Sequence, residues 1–247
     1  MDVRDRSSLS FVSWATNVTK CSNPAFEKVI SRVWNNPELQ KDVLAVLTGV
    51  TKLIHDKGGT ESAAEYYATL VSIYYNTPKV MKLTALNTPS CTKPAEAYLL
   101  KLIMCQAVPD SLLRATFAEA AKILVHLLTS CSAMDATHIS ILKPLLICLG
   151  RLLRAQFRES WSLESVRHIY RYILRFIDCE KPTVRRSSHI AVCNILHIAS
   201  NDGTDENVFH PACHQTVQHI CVSIRQEMRY VWFSTFTIVT LLCGNDV

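Results

Sequence analysis

Two groups of side chains in this 247-residue chain have types and spacings suited to chemistry. The first is a His/Cys concentration toward the C-terminus: His189, Cys193, His197, His210, Cys213 and His214, with His219 and Cys221 beyond. Imidazole and thiolate are ligands that zinc takes. On a helix His189, Cys193 and His197 lie four apart in one row, where only adjacent members reach a common ion, and His210-x-x-Cys213-His214 would supply the rest. Zinc modules, however, place a C-x₂-C or H-x₃₋₅-H pair on a short loop with few large apolar neighbours, and these residues sit in a good helical pattern. Structural or incidental use is the better reading, so no metal is assigned. The second group is basic. Arg167, Arg171 and Arg175 are spaced by four, Arg151, Arg154 and Arg158 precede them, and Lys181, Arg185 and Arg186 follow. Guanidinium groups in such numbers match phosphate or carboxylate oxygens.

Catalytic patterns are missing. There is no G-x-x-x-x-G-K-[ST], no G-x-G-x-x-G, no H-E-x-x-H and no G-x-S-x-G. No pair of carboxylates stands in an apolar context, as general acid–base work requires. The expectation is a chain that is not an enzyme, with no cofactor and no small-molecule substrate.

The net charge is +5, and it is unevenly placed. Between Lys143 and Arg186 ten Lys/Arg stand against four Asp/Glu, while residues 187–247 are net acidic. A solvated helix face accounts for this as well as an anionic partner such as RNA does. Arg151, Arg154 and Arg158 end a helix, where cations complement the dipole. Arg185 and Arg186 begin one, where the dipole disfavours them, which points to a partner. Helices lying side by side in chain order would join the three groups into one basic surface for phosphate backbones or an acidic protein. Trp161, Tyr170, Tyr172 and Phe176 interleave with the cations, Tyr170 as part of the core.

The elements that must carry these residues are helices. Val43, Val46, Leu47, Val50, Leu53 and Ile54 follow the spacing of one helix face, as do Leu142, Leu145, Leu146, Leu149, Leu152 and Leu153. Asn23-Pro24 and Asn36-Pro37 are start signals, and Gly58-Gly59 ends a helix before Thr60-Glu61 opens the next. The pattern predicts nine or ten helices: 24–35, 37–57, 60–76, 94–107, 109–130, 135–156, 162–178, 182–199, 210–228 and 230–243. Pro144 is a candidate kink, and Thr77–Lys93 and Asn201–Asn207 read as linkers. Only 6 glycines occur, too few for the turns of a sandwich or barrel. Sequential pairs of such helices predict an all-α, HEAT/armadillo-like α-solenoid over 21–247, behind a flexible N-terminal segment over 1–20, with a globular bundle as the alternative. The 10 cysteines are scattered, mostly in apolar helical runs, and read as reduced and buried. The most membrane-like run, Val231–Cys243, is too short to span, so no membrane partner is expected.

The chain holds, in order, Cys21-Ser22-Asn23-Pro24-Ala25-Phe26, Val43-Leu44-Ala45-Val46-Leu47, Gly58-Gly59, Glu65-Tyr66-Tyr67-Ala68, Leu149-Gly150-Arg151-Leu152-Leu153-Arg154-Ala155-Gln156, Trp161, the Tyr170–Phe176 helix and Lys181-Pro182-Thr183-Val184-Arg185-Arg186. In these ordered stretches it resembles the N-terminal region of the ribosomal RNA-processing protein 12-like family. The resemblance implies HEAT repeats and a non-catalytic scaffold or RNA-binding factor in pre-ribosomal RNA processing and small-subunit maturation and export. It implies a nucleolar or nuclear location. The partners it implies are pre-ribosomal RNA, ribosome-assembly proteins and the nuclear transport machinery. It also implies much longer members, so the chain reads as the N-terminal portion of a longer solenoid.

Overall fold

Apolar residues three and four apart become helix in every predicted segment that the structure describes. The structure, a computed structural model, describes residues 24–34, 37–83, 92–131, 136–197 and 210–225, and among them there is no strand. The elements are α1 (Pro24–Trp34), α2 (Pro37–Asp56), α3 (Ala63–Leu83), α4 (Thr92–Gln106), α5 (Asp110–Ala115), α6 (Phe117–Ser130), α7 (Ala136–Arg154), a 3₁₀ turn (Arg158–Ser162), α8 (Glu164–Leu174) and α9 (Pro182–Leu196). A tenth helix, α10, covers 212–225. The predicted segments 1–20, 201–207 and 230–243 lie outside the described residues.

Local chemistry sets the boundaries. Gly58 sits at φ 71°, and the pair Gly58 N–H to His55 C=O (2.9 Å) and Gly59 N–H to Ile54 C=O (2.9 Å) closes α2 as a Schellman motif. The next helix starts later than Thr60: Ser62 accepts the Glu65 N–H at 3.2 Å and serves as its cap. The predicted 109–130 helix breaks in two at Thr116, whose hydroxyl donates to Leu112 C=O (2.9 Å) and bonds the Tyr67 hydroxyl (3.0 Å). A side chain that competes for its own backbone carbonyl loosens the turn there. Conversely, α3 runs on to Leu83 through Pro78, and α7 runs through Pro144. A single proline removes one helical hydrogen bond, and a helix held on several sides survives that loss.

The helices stack in two layers. α3, α6 and α8 touch in succession in the first layer; α2, α4, α7 and α9 touch in succession in the second. Pairs α3–α4, α6–α7 and α8–α9 bridge the layers, and α1 packs on α2 and α4. α10 joins the first layer beside α8, where the Thr216 hydroxyl bonds the Tyr170 hydroxyl at 2.6 Å and Gln215 Nε2 donates to Arg167 C=O at 3.1 Å. This alternation is the α-solenoid expected from the sequence. Val217, Val222 and Ile224 on α10 are exposed.

α7 is the centre of the stack, in contact with α4, α6, α8 and α9. It buries ten residues, among them Leu142, Leu145, Leu146, Leu149, Leu152 and Leu153, each side chain contributing about 1.5–3 kcal/mol. Among the described residues one helix, α7, is long and apolar enough to cross a membrane, but ten of its residues are buried in the stack, as in the core helix of a folded protein. Its closest approach is to α9: a Cβ built on Gly150 would lie 2.8 Å from Ala191 Cβ. The cysteines divide. Cys148 is buried, and burial pushes its thiol well above the usual range, whereas Cys193 and Cys221 are exposed, contrary to the expectation of burial. The apolar runs that hold these two belong to helices with an outward face.

Candidate nucleic-acid interface

Layer parity sorts seven of the nine basic residues, the others being Arg158 in the 3₁₀ turn and Lys181 ahead of α9. Arg167 and Arg171 lie on α8 in the first layer, with Arg175 at its C-terminal end, whereas Arg151 and Arg154 lie on α7 and Arg185 and Arg186 on α9, both in the second layer. Adjacency in the chain alternates layers, so the α8 group stands in the first layer while the α7 and α9 groups share the second.

Several of these cations have intramolecular partners. Glu164 takes Arg167 Nη2 at 3.0 Å and Arg171 Nη2 at 2.8 Å, with all three side chains about half exposed. Such surface pairs are worth about 0.2–1 kcal/mol and yield readily to a stronger anion. Arg175 lies over the Tyr172 ring at 4.6 Å. Arg185 Nη1 donates to Cys179 C=O at 2.9 Å, so it braces the α8–α9 turn. Arg151, only 18% exposed, pairs with Asp110 and donates to Val108 C=O at 3.3 Å, tying α7 to the α4–α5 connection. Its neighbourhood explains it better than the dipole of its own helix. Arg154 and Arg186 are exposed, and Lys181 is half-buried ahead of α9.

Residues beyond the expected set gather at the C-terminal end of α7. Phe157 is 59% exposed, and the Arg114 guanidinium lies over its ring at 4.2 Å. Arg114 is held in place by donating through Nη1 to Ala155 C=O at 2.9 Å. On α4, burial raises the Cys105 thiol, and Arg151, Lys101, Arg32 and Arg154 ease it downward. Lys101 Nζ also lies over the Tyr98 ring at 4.5 Å. The one hint in the sequence was an aromatic off the helical period, between Arg154 and Arg158.

The His/Cys group does not assemble. Among the described residues no three His, Cys, Asp or Glu side chains converge as a metal site. His189 Nε2 bonds Ile177 C=O at 3.1 Å, Cys193 and His197 face solvent on α9, and His214 faces solvent on α10. Cys213 is half-buried. His210 is buried edge-on against Trp161, ring centres 4.7 Å apart, and its Nδ1 accepts the Ala212 N–H at 3.1 Å. Burial, helped by Arg158, lowers its pKa from 6.5 to about 4.

That shift has a sign. Between pH 6.5 and 4 the unfolded chain binds a proton on this histidine that the folded chain refuses. Stability is full above pH 6.5 and falls as the pH drops toward 4, by roughly 2–3 kcal/mol for this group alone. Thermal midpoints across that window should fall less steeply in His210→Asn than in the wild type. Parallel curves would show that His210 is not the group responsible.

Comparison with known proteins agrees with the fold. The family model described as RRP12-like, N-terminal HEAT repeats, matches residues 20–225. An RRP12-like protein of Gallus gallus is 32% identical over 244 residues, 98% of this chain and 18% of the relative. One of Homo sapiens is 30% identical over 224 residues, 90% of this chain and 16% of the relative. One of Drosophila melanogaster is 28% identical over 188 residues, 76% of this chain and 13% of the relative. The chain therefore spans less than a fifth of the length of the curated relatives it matches. No solved structure matches it. With helices alternating between two layers and a family match over most of its length, the chain belongs to the RRP12-like family and corresponds to its N-terminal HEAT repeats.

Proposed function

We propose that this chain is a non-catalytic scaffold segment of ribosome biogenesis that binds pre-ribosomal RNA during processing and small-subunit maturation and export, in the nucleolus and nucleus. The match of residues 20–225 to the N-terminal HEAT repeats of RRP12-like proteins carries this reading. The concentration of Lys/Arg between Lys143 and Arg186 supports the RNA part of it. A repeat stack offers long exposed helix faces and no enclosed reaction centre, which suits holding a partner better than transforming one.

A salt titration of binding to a pre-ribosomal RNA fragment tests it. Affinity should fall linearly with the logarithm of salt concentration, with a slope of about one per phosphate contact. Replacing Arg167, Arg171 and Arg175 by alanine should weaken binding roughly tenfold for all sequences alike and flatten the slope. No RNA affinity at low salt rejects the reading. A second reading, an adaptor that grips acidic proteins as transport receptors do, draws on one observation: Glu164 and Asp110 already occupy three of the arginines with carboxylate. Binding to acidic proteins without any to RNA would favour it.

A further inference from the structure

An exposed phenyl ring costs solvation and makes no contribution to a core, so a fixed one among cations calls for a ligand that uses both ring and charge. Phe157 is such a ring. Arg114 covers one face at 4.2 Å and is itself pinned to Ala155 C=O, which holds the pair as a plate on the surface. Arg154, exposed in the last turn of α7, stands three residues before Phe157 in the chain. The carboxylate of Asp110 is taken by Arg151.

We propose that the C-terminal end of α7 is a binding site for single-stranded RNA, in which a base stacks on Phe157 and a neighbouring phosphate is held by Arg154. This rests on the reading of the chain as an RNA-binding protein and names the place and the form of RNA. Stacking needs an unpaired base, because in a duplex both faces of every base are already occupied. It is sequence-tolerant, since every base has a π-face, and an arginine on the far side of the ring strengthens it. An acidic peptide would engage the cations and leave the ring idle.

The test uses the full chain and a fluorescein-labelled single-stranded RNA of about a dozen nucleotides, with its duplex, an abasic version and polyglutamate as comparison probes. Phe157→Ala should weaken single-strand binding about tenfold or more and leave duplex binding and the helical circular dichroism unchanged. Phe157→Tyr should bind as the wild type does. Arg154→Ala should weaken both RNAs and reduce the salt slope by about one. Unchanged single-strand affinity in Phe157→Ala overturns the proposal, as does an abasic strand that binds as tightly as the intact one. Polyglutamate binding at the RNA's affinity, indifferent to Phe157, would put an acidic protein in its place. RNA binding lost only when Arg167, Arg171 and Arg175 are removed would move the contact to α8 and leave the broader function standing, whereas no RNA affinity at all would take both.

Discussion

Gly150→Leu should lower the thermal midpoint by about 10 °C. Two neighbouring helices of the second layer, α7 and α9, approach so closely at this glycine that an added Cβ would stand 2.8 Å from Ala191 Cβ and 3.1 Å from Ala191 Cα. One of those atoms is backbone, so no side-chain rotation relieves the contact, and the helices must move apart along a face that carries Leu149, Leu152 and Leu153. Overpacking of a core costs about 1–3 kcal/mol, and a leucine forced against backbone belongs at the top of that range or above. For a chain of this length each kcal/mol moves the midpoint by roughly 2–4 °C. Gly150→Ala is the finer probe, since alanine gains about 1 kcal/mol of helix propensity against the clash. Pairing it with Ala191→Gly should recover stability lost in the single variant, and the coupling between the two sites, read in a double-mutant cycle by urea unfolding, measures the approach directly. A Gly150→Leu protein that melts with the wild type would mean that α7 and α9 do not meet here.

Trp161→Ala should cost about 3–5 kcal/mol, the range for emptying a buried tryptophan site. The indole is almost fully buried in the 3₁₀ turn, edge-on to Tyr170 at 5.5 Å and to His210 at 4.7 Å, so it joins α8 to the residues that lead into α10. Its loss should therefore act locally before it acts globally. Amide exchange should accelerate first over 210–225, because α10 has its described anchors at Thr216 and Gln215 beside α8. The same variant should remove much of the acid sensitivity between pH 6.5 and 4, since burial is the main cause of the low His210 pKa and water would enter the vacated space. Protection of 210–225 equal to the wild type's would show that the indole does not hold α10.

The periodic core was the most legible part of the sequence. Leu142, Leu145, Leu146, Leu149, Leu152 and Leu153 are all fully buried, and Val43, Leu47, Val50 and Ile54 are buried where their spacing put them. Leu53 strays outward because the α2 stripe is narrower than the pattern suggested. The cap at Ser62 and the break at Thr116 depend on side-chain hydrogen bonds and the stop at Gly58 on a left-handed backbone turn, and each shifts a boundary by a few residues without altering the fold.

The basic surface was harder to read, for a geometric reason. A helical wheel tells which way a residue points on its own helix but not which layer that helix joins. Arg151 meets Asp110, 41 residues away in the chain, and Arg114 meets Ala155 across the same separation. No local pattern encodes such meetings. The burial of His210 against Trp161 likewise required the fold.

The alternation of helices between two layers also means that the protein counts in twos. Dropping one full helix would send every later helix to the opposite tier and turn its oily stripe toward water, whereas dropping or adding a matched couple preserves the parity of all that follows. The short α5 escapes the count because the chain resumes as α6 straight after Thr116. Evolution can therefore lengthen such a protein in even steps, each new couple inheriting the arrangement of the last.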